Sequence, residues 1–288
     1  MSRDQKIRLA MAACAVLLVT AAVLSVSGIF SGGTLGNVYA DAEKYTAGDG
    51  EIPADIRSLS IDWPEGAVRI AYHESNTVVI HEETEKELRE EDRVHWYLDG
   101  DVLRIHYVRS GKMNTWNLRK DLTVTLPNDK ALESGVLRTV SGQLLIPSLT
   151  AEHLEMYSVS GDIRAEGLKA KALKAESVSG CITLRTEDAE EIAADTTSGS
   201  IALELTGSIG QVRLNSVSGT IAAALPEQPG FTARISTVSG RTENELPMVR
   251  KGEEYTCGDG SGRVEIATVS GGIQILREGT NGQKLSDE

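Results

Sequence analysis

The hydrophobic and polar positions in the C-terminal half of the chain repeat one figure. Apolar residues in period-2 spacing lead into a hydroxyl-x-Ser-Gly corner, and apolar residues in the same spacing follow it. The corners read TVSGQL (139–144), SVSGDI (158–163), SVSGCI (177–182), TTSGSI (196–201), SVSGTI (216–221), TVSGRT (237–242) and TVSGGI (268–273). Their glycines, Gly142, Gly161, Gly180, Gly199, Gly219, Gly240 and Gly271, are spaced by 19, 19, 19, 20, 21 and 31 residues. Two residues after them stand Leu144, Ile163, Ile182, Ile201, Ile221, Thr242 and Ile273. Five and seven before stand pairs such as Met156 and Leu154, Ala175 and Leu173, or Leu214 and Val212. Alternation predicts a strand on each side. The apolar parity changes across the glycine, so a corner falls there, and glycine is expected to supply a backbone conformation that a Cβ penalises. No coil buries its own apolar face, but stacked coils cover one another. The pattern therefore predicts an all-β fold, a β-solenoid of about seven 19–21-residue coils stacked in chain order. At ~4.8 Å per layer the rod is on the order of 30 Å long.

Stacking aligns Thr139, Ser158, Ser177, Thr196, Ser216, Thr237 and Thr268 into one hydroxyl ladder. Ser141, Ser160, Ser179, Ser198, Ser218, Ser239 and Ser270 form another. Small hydroxyls at such corners are expected to satisfy backbone groups; the alternative is a polar binding track. The residue after each glycine varies (Gln143, Asp162, Cys181, Ser200, Thr220, Arg241, Gly272), which marks an outward position with no shared chemical role.

Residues 51–135 are β-rich without the Ser-Gly repeat. Strands are predicted at 58–61, 67–72, 78–82, 94–98, 102–107 and 122–126, with turns at Pro64-Glu65-Gly66 and Asp99-Gly100-Asp101. The charged stretch 82–93 reads as an exposed loop or short helix. A solenoid end needs covering, so this region is assigned as the N-terminal cap and first irregular coils. It also concentrates the scarce aromatics. Trp63, Trp96, Tyr97 and Trp116 are accordingly either cap packing or a candidate interaction surface. Glu245 to Gly262 is an insertion before the seventh corner. Its Gly258-Asp259-Gly260-Ser261-Gly262 lacks the context of a phosphate loop and reads as a hairpin turn.

Leu9 to Phe30 is 22 residues without a charge, long enough for a membrane-spanning helix. Arg3, Lys6 and Arg8 precede it, which places the N-terminus in the cytoplasm and the rest outside. A signal peptide cleaved after this run, with secretion, is the alternative. The expected organisation is a cytoplasmic N-terminus (1–8), transmembrane anchor (9–30), linker (31–50), cap (51–135), repeat solenoid (136–276) and disordered tail (277–288).

Charge and chemistry narrow the function. The net charge is −13, and −15 once the first 40 residues are set aside. Such a domain repels nucleic acid. His73, His81, His95, His106 and His153 show no metal-motif spacing, and no G-x-S-x-G nucleophile motif occurs. Asp162, Glu166 and Asp188 do not recur in register, as a polysaccharide-acting β-helix enzyme would need. Cys181 and Cys257 fall several layers apart, too far to bridge. The reading is a non-enzyme with no cofactor and no metal.

The S-V-S-G-x-I repeats, the Leu122-Thr-Val-Thr-Leu-Pro127 strand and the late Gly258–Gly262 segment before Thr268-Val-Ser-Gly271 carry a resemblance. Over roughly residues 50–276 the chain resembles the bacterial "putative adhesin" family of β-strand-repeat proteins, a domain of unknown function. With its anchor it looks like the Lia-type membrane-bound members associated with cell-envelope stress. The resemblance implies an extracytoplasmic scaffold or sensor whose partners are the membrane and an envelope component or membrane protein. The alternative is an adhesin binding an external surface.

Overall fold

The computed structural model describes residues 38–112 and 118–279. Leu9–Phe30 and Trp116 lie outside the described residues, so the predicted anchor and one aromatic of the candidate surface do too. Among the described residues no helix is long and apolar enough to cross a membrane.

The N-terminal part carries β1 (Thr46–Ala47), β2 (Gly50–Pro53), β3 (Ser58–Asp62), β4 (Val68–His73), β5 (Thr77–Glu83), β6 (His95–Asp99), β7 (Val102–His106) and β8 (Asp121–Pro127). β3 to β8 follow the six predicted strands to within a residue or two, whereas β1 and β2 match no predicted strand and β1 lies in the stretch expected to be linker. The charged stretch becomes a single 3-10 turn, Glu90–Asp92. The repeats supply β9 (Ala131–Arg138), β10 (Leu144–Ile146), β11 (Leu149–Ser158), β12 (Ile163–Ser177), β13 (Ile182–Glu187), β14 (Glu191–Thr196), β15 (Ile201–Thr206), β16 (Gln211–Ser218) and β17 (Ile221–Leu225). The C-terminal part holds β18 (Gly230–Ser239), β19 (Thr242–Asn244), β20 (Val249–Lys251), β21 (Glu254–Gly258), β22 (Gly262–Ser270) and β23 (Ile273–Arg277).

Each coil places one strand before the corner and one after it, and equivalent strands pair in parallel. Before the corner the order is β7, β3, β9, β11, the second half of β12, β14, β16, β22, β18. After it the order is β8, β4, β10, the first half of β12, β13, β15, β17, β23, β19. Register keeps alternate residues inside: Leu154, Leu173, Ile192, Val212 and Val264 align, as do Ile163, Ile182, Ile201, Ile221 and Ile273, and all are buried. The result is an all-β, solenoid-like stack with one continuous aliphatic core.

The layers do not follow chain order as expected. The seventh corner lies between the fifth and sixth, because β22 pairs with both β16 and β18. The first coil is likewise held inside, β3 pairing with both β7 and β9. The 31-residue final spacing is the reason: the β20–β21 hairpin carries the chain out along β18 and back to an inner slot. The region expected to hold the cap and first irregular coils contributes two coils, β3–β4 and β7–β8. It also supplies closing antiparallel strands, β6 with β1 on one face and β5 with β2 on the other.

The glycine expectation also needs correction. None of the seven corner glycines has a positive φ. A Cβ on Gly161 would instead overlap the Gly142 carbonyl, one on Gly180 that of Gly161, and one on Gly199 that of Gly180. Glycine is required by close approach between layers, not by a left-handed backbone. Gly66 meets both conditions, with φ +90° and the Lys120 carbonyl where its Cβ would stand.

Candidate interaction surface

The two hydroxyl ladders part company in space. The ladder three residues before the glycines is buried from Thr139 to Ser216 and at Thr268. Thr139, Ser177 and Thr196 accept the N–H of Gly142, Gly180 and Gly199 at 3.0, 2.8 and 3.1 Å. Ser216 and Thr237 donate to the carbonyls of Gly199 and Gly271 in adjacent layers, both at 3.3 Å. These hydroxyls close the corners. Ser141, Ser160, Ser179, Ser198, Ser218, Ser239 and Ser270 face solvent instead. Beside them lie Gln143, Asp162, Cys181 and Arg241, also exposed.

A third column, four residues before Gly66 and before the first five repeat glycines and extended in register by His106, was not legible as a track in the sequence. In register across the layers it runs His106, Asp62, Arg138, Tyr157, Glu176, Asp195, Asn215. Its members are matched to one another. Asp62 lies 3.5 Å from both His106 and Arg138, and Arg138 and Lys174 sit over the Tyr157 ring at 5.7 and 5.2 Å. Lys174 pairs with Glu176 at 2.8 Å, and Asn215 donates to Asp195 at 2.8 Å. Burial, with the Glu176 carboxylate next in register, pushes the Asp195 carboxyl above its ordinary range. The signal that could have found this column was polarity fixed at one offset from every glycine through five successive corners.

The aromatic candidates separate as well. Trp63 is fully buried and cannot present a face to a partner. Its Nε1–H donates to the Lys120 carbonyl at 3.0 Å, and its ring meets Tyr107 edge-on at 4.7 Å between centroids. Lys120 Nζ lies over both rings and pairs with Glu82 at 2.7 Å, with its side chain 0% exposed. Burial lowers that ammonium to about 8. This cluster locks the outermost N-terminal coil. Trp96 is half-buried, its Nε1–H donating to the Gly48 carbonyl at 2.9 Å. Tyr97 is half-exposed and packs against Tyr45 at 5.5 Å, with Lys44 over its ring. Of the described members of the candidate set, Tyr97 and the edge of Trp96 reach the surface.

Next to them Tyr39 stacks on His106, with centroids 3.9 Å apart and planes 5° from parallel. Burial outweighs Asp62 and lowers His106 to about 4. Cys181 is exposed in mid-stack, while Cys257 is buried on β21 at the C-terminal end; both thiols are free. Among the described residues no group of three or more His, Cys, Asp or Glu is placed to hold a metal ion.

Known proteins with similar structures include a "putative cell adhesion protein" from Clostridium sporogenes. It is 13% identical with a TM-score of 0.38, over 81% of this chain and 100% of that one. A "putative adhesin" from Bacteroides fragilis is 13% identical with a TM-score of 0.39, over 81% and 98%. Another from Parabacteroides distasonis is 12% identical with a TM-score of 0.34, over 80% and 97%. No curated protein matches the chain in sequence. The Toastrack DUF4097 family matches residues 56–276, nearly the whole described stack, and this chain belongs to that family.

Proposed function

We propose that the protein is a non-catalytic scaffold or sensor of the bacterial cell envelope, membrane-anchored through Leu9–Phe30 with its stack on the extracytoplasmic side. The observation that carries this reading is the pairing of the polar and charged side chains on the outward side of the strands before the corners. Asp62, Arg138, Lys174, Glu176, Asp195 and Asn215 are each matched to a neighbour in the same or an adjacent layer. Such a network fixes layers relative to one another and suits a rigid spacer. The charge-free run behind Arg3, Lys6 and Arg8 supports the anchor and its orientation.

The test is protease treatment of intact and then opened cells, following a C-terminal tag. Loss of the tag in intact cells is expected; protection until the cells are opened would overturn the topology. A deletion strain should change its tolerance of cell-wall antibiotics. Binding of the purified protein to cells or matrix would favour an adhesin instead.

A further inference from the structure

The two ends of the stack are closed differently. At the N-terminal end antiparallel strands cover both faces, β6 with β1 and β5 with β2. At the C-terminal end β21 covers β18 only from Gly230 to Ala233, and among the described residues nothing pairs with the outer side of β19. Residues 238–245 are all exposed. Two of the three exposed large hydrophobic residues among the described residues, Val238 (43%) and Val249 (62%), lie at this end. Exposed strand edges of this kind template pairing with another strand.

The backbone of β19 fixes which groups are free. Ile273 N–H donates to the Arg241 carbonyl and Glu245 N–H to the Ile275 carbonyl, both at 2.9 Å. Residues 241, 243 and 245 therefore bond inward to β23. By the alternation of a ladder, the N–H and C=O of Thr242 and Asn244 point outward. An antiparallel strand centred on Thr242 would exchange two hydrogen bonds with it. The same register sets residue 241 opposite residue 243, on the outer face of the sheet. Those residues are Arg241 and Glu243, opposite in charge, exposed, and in no ion pair with any described residue. The strand that complements this edge in charge and in hydrogen bonding is the edge itself, turned about a two-fold axis.

We infer that β19 is a homotypic docking edge, where a second copy of this chain pairs antiparallel with Thr242 on the two-fold axis and Arg241 opposite the partner's Glu243. The contact is isologous, so it closes as a dimer and does not propagate as a filament. A three-residue edge falls well short of the ~1,600 Å² of a standard interface, so association is weak and concentration-dependent. The β20–β21 hairpin pairs with β18 at Gly230–Ala233, the half of that strand farther from the corner that leads to Thr242.

Sedimentation equilibrium of the full chain in detergent, over roughly 1 to 300 µM, reads this directly. Wild type is expected to be a monomer–dimer mixture with a Kd in the tens of micromolar or above. Glu243→Arg sets arginine opposite arginine twice and should weaken the dimer at least tenfold. The double exchange Arg241→Glu with Glu243→Arg restores both pairs and should return the Kd to within about threefold. Exposed positions on an edge strand tolerate these changes, and circular dichroism checks that the stack is intact. Association that ignores Glu243→Arg, or a Kd that the double exchange fails to restore, overturns the proposal. So does a strict monomer that dimerises only after residues 280–288 are removed, since the chain would then cover its own edge.

Discussion

Gly180 and Gly272 differ by what a methyl group would meet. At Gly180 it would overlap the Gly161 carbonyl, a backbone atom held on both sides by the stack. At Gly272 the nearest atoms would be the Arg241 carbonyl at 3.7 Å and a Thr220 methyl at 3.9 Å, ordinary contact distances. Gly180→Ala is therefore expected to cost about 3 kcal/mol or more, since two layers must separate to admit it. Gly272→Ala should stay within about 0.5 kcal/mol. Urea unfolding of the two variants checks this, and equal destabilisation would remove close approach as the reason for the glycine. Thr197 shows the converse at the same corners. It occupies the position that is Val140, Val159 and Val178 elsewhere, and its buried hydroxyl has no hydrogen-bond partner. Shape, not polarity, selects the residue there.

Strand order is where the repeat misleads. Each corner could be read from apolar parity alone, because parity decides which side chains enter the core. Which layer a coil occupies is decided by the length and path of the connection before it. The interval between Gly240 and Gly271 gave that interval's length but not its destination. The number and order of the irregular coils in the N-terminal region were not legible for a related reason. Pro64-Glu65-Gly66 keeps the corner glycine with Val68 and Ile70 behind it, yet lacks the hydroxyls that made the other corners visible. The third polar column carries no sequence motif because its members share a position without sharing a residue type. The inner slot of β22 has a measurable consequence. Amide exchange should be slower in β22 than in β18, although β18 comes earlier in the chain. A stack in chain order would reverse this, leaving β22 outermost, and that result would contradict the pairing.

For the molecule as a whole, acid acts through buried histidines as well as through charge. Folded His106 titrates near 4, against 6.5 in an open chain, and burial lowers His95 in the same direction. Between pH 6.5 and 4 the unfolded chain binds more protons, so stability present above pH 6.5 declines as pH falls through that window. His106 alone sets a ceiling of about 3 kcal/mol on that loss. The groups facing it are Asp62, Arg104, Arg138, His95 and the rings of Tyr39 and Tyr45. Urea titrations at pH 7 and pH 4.5 should show the decline, and His106→Phe, which keeps an aromatic ring against Tyr39, should flatten it. An unchanged slope in that variant would assign the acid sensitivity elsewhere.

Placing the first and last coils one layer inside the ends also changes how the protein carries force. A load applied where the chain leaves the stack falls on β23, and one applied at its entry falls on β3 once the closing strands β1 and β2 are drawn off. β3 and β23 are each hydrogen-bonded in parallel to a neighbour on both sides. Neither can be peeled away one bond at a time like the free end of a zipper. Each must slide out against two ladders loaded in shear, so tension along the chain grips the stack at the point where an ordinary end-to-end winding would begin to unravel.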